Sequence, residues 1–465
     1  MSRSAPGARA IVRAVATSAT LIVLVGGGPA ALQVPPVTAL VDVNVVPMDV
    51  ERVLRGQTVL VREGRIAEIG PSASVRVPDG AARVEGRGRY VIPGLAEMHG
   101  HLMPPANQAG TSLEALNERI LELNAIHGIT TIRGMLGHPY HLTLRARVAK
   151  GELLGPTIYT SGPSLNGNSA KDEATAVRMV EEQKAAGYDF LKIHPGLTRP
   201  VFDAMAAAAA RVGITYQGHV PADVGIDRAL AAPYRAIDHL DGYVEALAGW
   251  KPGSGAPAPG FFGSRLTAGI DRSRIAALAA ATKKAGVWMV PTEAVVHSFL
   301  APEPVAELAK RPDLALVPSF LSEGWLKQKQ AFNDQTGIGT AEERERFFAL
   351  RRELIKALHG AGVKILSGAD APQVMNVPGP ATHRELALLA AAGLTPFQVL
   401  ESSTRNVAEF LGASDRGTIA AGKVADLVLL DASPLERIEH TTRIAGVMVR
   451  GRWIDAGEIA KRLKK

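Results

Sequence analysis

Cysteine is absent from all 465 residues, which excludes disulfides, thiolate zinc sites, iron–sulfur clusters and a cysteine nucleophile. Any metal must be held by nitrogen and oxygen. Charge of one sign is also scarce away from the ends. The formal +7 is matched by Arg3, Arg9 and Arg13 at one end and Lys461, Arg462, Lys464 and Lys465 at the other, so a nucleic-acid partner has little electrostatic support and none is expected. No strand-like run is followed by G-x-G-x-x-G, the mark of a dinucleotide site. A long apolar run is missing too: from Ala14 the uncharged stretch reaches only Val25 before Gly26-Gly-Gly-Pro29, about a dozen residues where a span needs about 20. With three arginines ahead of it and Ala30-Ala31 behind, this segment reads as a secretory signal over residues 1–33, in preference to a membrane anchor. The mature chain is then expected to be exported, periplasmic or secreted, with no stable membrane span.

What is present is a globular composition, 46% hydrophobic and 21% charged, on a chain long enough to bury a large core. Residues 34–92 are rich in short alternating strands, such as Thr38-Ala-Leu-Val-Asp-Val, with a turn at Glu63-Gly64. From Pro93 the texture changes to short β-branched runs separated by Ala/Leu/Glu/Lys helices. These runs are the segment ending at His99 and His101, then Gly128 to Arg133, Thr157 to Thr160, Phe190 to His194, Ile214 to His219, Ala236 to His239, Val287 to Pro291 and Val363 to Asp370. Eight such units predict an α/β fold with a (β/α)8 TIM-like barrel over residues 93–412; a doubly wound open sheet is the alternative. Strand texture returns over residues 413–465. Neither end has enough strands for a core alone, so the two predict a discontinuous N- plus C-terminal β-sandwich domain. The Pro/Gly-rich residues 251–260 predict a mobile loop near the pocket mouth.

Chemistry-bearing residues fall at the ends of these strands. His99-Gly-His101 puts two imidazoles on one face of a strand; Lys192, His219, His239 and Asp370 end or nearly end four later ones. Taken singly, each also fits a strand-end polar group, a satisfied core histidine, a salt-bridged lysine or a helix cap. Together they lie on the rim where barrel enzymes carry their sites, and neutral imidazoles with a carboxylate suit zinc or a similar divalent ion. The combination predicts a hydrolytic metal site.

The chain also resembles the metal-dependent amidohydrolase superfamily, in its imidazolonepropionase-like and Xaa-Pro dipeptidase-like branch. The likeness is carried by Val91-Ile-Pro-Gly-Leu-Ala-Glu-Met-His-Gly-His, Gly151-Glu-Leu-Leu-Gly-Pro-Thr-Ile-Tyr-Thr-Ser-Gly, Tyr188-Asp-Phe-Leu-Lys-Ile, Gly218-His-Val-Pro, Ile237-Asp-His-Leu-Asp-Gly, Leu366-Ser-Gly-Ala-Asp and Gly417-Thr-Ile-Ala-Ala-Gly-Lys-Val-Ala-Asp-Leu-Val-Leu-Leu. The resemblance implies a barrel with a composite sandwich and two divalent ions, zinc expected. His99, His101 and Asp370 would hold one ion and His219 and His239 the other, with Lys192, carboxylated by carbon dioxide, bridging them. Glu97 departs from the pattern, which has Asp two residues before the first histidine, and puts one supporting contact in question. On this reading metal-activated water attacks the amide of a dipeptide or N-acyl amino acid, and Asp370 shuttles the proton. Tyr243 would steady the oxyanion, and Arg133, His138 and His141 would receive a substrate carboxylate. Ring opening or deamination of a cyclic nitrogen compound at a single metal is the alternative, and a binding protein without catalysis a third reading. A homo-oligomer is expected.

Overall fold

The computed structural model describes residues 37–103, 112–256, 258–335 and 339–464, and the expected signal over 1–33 lies outside them. Eight strands form one sheet from both ends of the described chain: β1 (Val37–Val45), β2 (Leu54–Arg62), β3 (Arg65–Pro71), β4 (Ala82–Glu85) and β5 (Tyr90–Pro93), with β13 (Leu427–Leu430), β14 (Ile444–Val449) and β15 (Arg452–Asp455). The order is β15-β14-β13-β5-β1-β2-β3, with β4 also paired to β1. The C-terminal strands therefore dock on β5 rather than extend the first hairpin, Leu427 opposite Pro93 and Leu430 opposite Tyr90. Leu40, Val43, Val59, Val91, Leu427 and Met448 share one buried cluster, so the alternating apolar positions of both ends serve a common core.

Between these ends, every strand is parallel to its neighbours. β6 (Leu95–Gly100), β7 (Ile129–Gly134) and β8 (Thr157–Thr160) form one sheet; β9 (Leu191–Ile193), β10 (Tyr216–Gly218), β11 (Ala236–Asp238) and β12 (Trp288–Val290) form another. Isolated parallel bridges join Ser161 to Phe190 and Leu165 to Ile193 between the two sheets. The eighth strand expected over Val363 to Asp370 is a bridged segment instead, touching β12 through Ile365–Met289 and β6 through Ala371–Gly100. Its ladder is irregular for a local reason. Ser367 N–H turns away to the Ser402 carbonyl, and Gly368 passes so close to β6 that a Cβ there would meet the His99 nitrogen at 2.7 Å.

Helices follow the parallel strands in turn, among them Leu113–Ile126, Arg199–Val212 and Pro380–Ala391. Local chemistry sets their ends. Thr340 and Glu343 form a reciprocal capping box on Ala341–Gly360, and Gly213 ends Arg199–Val212 at φ 67°, a conformation glycine takes without steric cost. Val201, Phe202, Met205 and Ala209 turn that helix's apolar face inward. Among the described residues no helix is long and apolar enough to cross a membrane.

Candidate active site

β6 is buried along its whole length and delivers His99 and, one residue past its end, His101, with ring centroids 5.4 Å apart. Asp370 approaches from the bridged segment: its Oδ1 lies 2.6 Å from His101 Nε2, and its Oδ2 lies 3.9 Å from both His99 Nε2 and His239 Nδ1. His239, following β11, has its ring 4.6 Å from His99 and 4.4 Å from His219, which follows β10. From β9, Lys192 Nζ reaches to 3.4 Å from His99 Nε2. All six strand-end residues singled out in the sequence thus converge on one focus. His239 and Asp370 take φ values of 63° and 61°, costly for residues with a Cβ and tolerated where surrounding structure enforces them.

The arrangement suits a metal ion. Two overlapping groups, His99 with His101 and Asp370, and His99 with Asp238 and His239, place one ligand atom from each residue within 4.8 Å of the others. His101 Nδ1 and His239 Nε2 are buried without any hydrogen-bond partner, and lone buried polar atoms of this kind call for an explanation. Burial holds His99 and His239 well below the usual imidazole range and His219 down at about 3, so their lone pairs stay available. His219 Nδ1 is oriented by Asp241 at 2.6 Å and His239 Nδ1 by the Thr292 hydroxyl at 2.7 Å.

Asp238 was not recognised from the sequence. It is fully buried, and it gathers His99 Nδ1 at 3.0 Å, Lys192 Nζ at 3.4 Å and Arg133 Nη2 at 3.1 Å. Burial would raise its carboxyl, but Arg133 and Lys192 outweigh it and leave the group below its ordinary value. The available signal was an acid inside the otherwise apolar run Ala236-Ile-Asp238. Glu97, the departure noted in the motif, has defined contacts: Oε1 accepts from the His99 and Ala369 nitrogens, and Oε2 from the Thr382 hydroxyl. Its longer side chain ties the two segments that carry His99 and Asp370, and burial pushes it up to about 7.

Four expectations for substrate contacts are corrected. Arg133 is fully buried and occupied by Asp238 and the Met98 carbonyl, so it braces the site from below rather than meeting a substrate. Tyr243 is fully buried with its hydroxyl 2.7 Å from Thr282 Oγ1, because Gly242 turns the chain into a short helix and the ring packs toward the helix Ile275–Ala285. His138 and His141 cap the helix Pro139–Ala149: His138 Nδ1 accepts from Tyr140 N–H, and His141 Nδ1 from His138 N–H. Phe262, in contrast, stacks on His239 at 4.7 Å with 14° between planes and was not anticipated. Ring stacking on strand-end histidines from a loop leaves no periodic mark in a sequence.

A buried, nitrogen- and oxygen-lined focus at the ends of parallel strands is a candidate metal site in a parallel α/β fold. The amidohydrolase family model matches residues 90–454, and the chain belongs to that family. It is 25% identical over 392 residues to an imidazolonepropionase of Mycolicibacterium smegmatis, covering 82% of this chain and 85% of that one. It is 27% identical over 214 residues to an adenine deaminase of Nitratidesulfovibrio vulgaris, covering 40% of this chain and 36% of the relative; the chain thus spans about a third of that deaminase's length. Among solved structures, a Xaa-Pro dipeptidase with bound methionine is 19% identical, covers 90% of this chain and 100% of its own, and superposes with a TM-score of 0.64. The fold is accordingly the TIM-barrel type of the amidohydrolases, a family whose named relatives here are hydrolases acting on C–N bonds.

Proposed function

We propose that this chain is a metal-dependent hydrolase of an amide C–N bond in a dipeptide or N-acyl amino acid. The observation that carries the reading is the convergence of His99, His101, His219, His239 and Asp370 around Lys192, with buried imidazole nitrogens left unpartnered. His99, His101 and Asp370 would hold one divalent ion, zinc in expectation, and His219 and His239 a second. When bound, such an ion supplies Lewis acidity that makes water nucleophilic near neutral pH. Asp370 stands at the centre of the group and takes the proton, then returns it to the leaving nitrogen. Burial lowers the Lys192 ammonium, which favours the neutral amine that carbon dioxide can carboxylate, and the carboxylated side chain would bridge the ions. The solved dipeptidase of the same fold supports the substrate class.

A second reading, cyclic C–N hydrolysis or deamination at one metal, is favoured by the Lys192–Asp238 contact at 3.4 Å, which suits an unmodified ammonium, and by the likeness to imidazolonepropionase. Elemental analysis joined to a panel of dipeptides, N-acyl amino acids, cyclic amides and purines separates the two. Two metals per chain, activity on the linear substrates and loss of metal in Lys192→Arg are expected. One metal with a fully active Lys192→Arg enzyme would decide for the second reading.

The isolated bridges support closure of the parallel strands into an eight-membered ring, and the mixed sheet supports one layer of a sandwich built from residues 34–92 and 413–465 around the barrel of residues 93–412. Export after cleavage of residues 1–33 and assembly into a homo-oligomer complete the reading. N-terminal sequencing from the native host and light scattering test them.

A further inference from the structure

A cavity of about 400 Å³ is bordered by the helices Glu293–Leu300, Ser319–Asn333 and Pro380–Ala391, and none of the six strand-end residues lines it. Three cations belong to its wall; Arg311 is paired with Asp313, and neither Lys329 nor Arg384 has a carboxylate within ion-pair distance among the described residues. Arg384 bonds only through Nη2, to Ser298 Oγ, the Met375 carbonyl and Asn376 Oδ1; its Nε is buried without a partner. Lys329 is fully buried and donates to the Phe299 and Ala301 carbonyls at 2.6 and 2.8 Å.

Buried cations are ordinarily paired, because neutral acceptors replace only part of the lost hydration. The cost is visible in both groups: burial lowers Lys329 to about 8 and Arg384 to about 10. Nearby acids do not cancel it. Asp313 is engaged by Arg311 through two hydrogen bonds, and Glu303 is exposed. Leu308 and Leu388 supply an apolar part of the wall.

We infer that this cavity binds a small molecule carrying a carboxylate or a phosphate on an apolar body, the anion against the incompletely satisfied guanidinium of Arg384 and the body against Leu308 and Leu388. Lys329 lies behind the surface and contributes charge rather than contact. The competing account makes Arg384 only a strut for the Met375-Asn376 turn. That strut uses Nη2, however, and leaves the buried Nε–H beside it without an acceptor. The inference does not depend on the reaction proposed for the metal focus.

Calorimetric titration of the full chain at constant ionic strength with hexanoate, hexyl phosphate and neutral hexanol tests it. Saturable binding of at least one anion and none of hexanol is expected, and the two anions show which head group is preferred. Arg384→Gln should weaken binding by about tenfold or more, the scale of a lost charge-assisted hydrogen bond. Lys329→Met should weaken it by a smaller factor. Leu388→Trp, which fills the cavity and keeps both cations, should abolish binding, and it decides the matter if Arg384→Gln does not fold. No saturable binding of either anion, equal binding of hexanol, or an affinity unchanged in Arg384→Gln and Leu388→Trp would overturn the inference.

Discussion

Asp238 joins three buried groups of the site, taking Arg133 on one oxygen and Lys192 and His99 on the other. Removing one member of a buried ion pair costs more than removing both, because the survivor stays desolvated and unmatched. Arg133→Met should therefore destabilise the protein by roughly 3–5 kcal/mol, and adding Asp238→Asn should restore part of the loss; urea unfolding of the single and double variants measures both. At Asp370 the expectation is different in kind. Asp370→Asn should lower kcat by at least about a hundredfold while the melting temperature moves little, the usual scale for removing a general acid/base. Near-parental turnover would end its assignment as proton carrier. The converging histidines, Lys192 and Asp370 were legible because each falls at or near the end of a strand, and strand ends of parallel α/β folds meet at one rim. Asp238 was not, since its importance lies in which groups three other strands bring to it, the Arg133 and Lys192 cations and the His99 imidazole. His138 and His141 misled for a related reason: a histidine beside Pro139 at a helix start caps backbone as readily as it binds substrate, and only the turn geometry decides.

The loop after β11 acts on the site through one ring. Phe262 sits at φ 53° and stacks on His239, while Phe261 beside it packs against Phe299 and Phe332 at 4.8 and 5.8 Å. An anchored loop holding an unfavourable backbone angle places that ring against His239. Phe262→Ala should raise KM for substrates with apolar side chains by about fivefold and leave metal content unchanged, since an aromatic contact is worth about 1 kcal/mol; a kcat/KM series over side-chain size reads it. A second link ties distant elements. His383 on Pro380–Ala391 is buried between the Thr441 hydroxyl at 3.0 Å and the His127 carbonyl at 2.9 Å, and burial lowers it from 6.5 to about 4. In that window the unfolded chain binds the extra proton, so stability rises with pH from 4 to 6.5 and falls on acidification. The full difference is roughly 3 kcal/mol at about 1.4 kcal/mol per unit. His383→Gln should flatten that part of the curve relative to the parent, which melting at pH 4.5, 5.5 and 6.5 would show.

At the scale of the molecule, the site hangs from the sheet that the two ends build together. That the ends pair was readable from their strand counts; the order was not, because alternation marks a strand's faces and says nothing of its neighbour. β13 lies between β5 and β14, and Gly94, the single residue between β5 and β6, donates its N–H to the Asp426 carbonyl just before β13. Gly94 is also packed so tightly that a Cβ would lie 2.1 Å from Thr130 Oγ1. The C-terminal segment further reaches the helical layer, where Arg450 donates to the Gly155 and Val148 carbonyls and Arg462 pairs with Glu122. A chain ending at Gly412 would thus lose one of the two partners of β5 and the anchor of Gly94, and with them support for the strand that carries His99. It should show no cooperative thermal transition and bind no metal, even though every proposed ligand is still present. Near-UV circular dichroism on heating, together with metal content after dialysis, checks this. A truncated chain that melts cooperatively and keeps its metal would mean that the parallel strands fold without the sheet, and that the path from Asp426 through Gly94 to His99 carries no structural load.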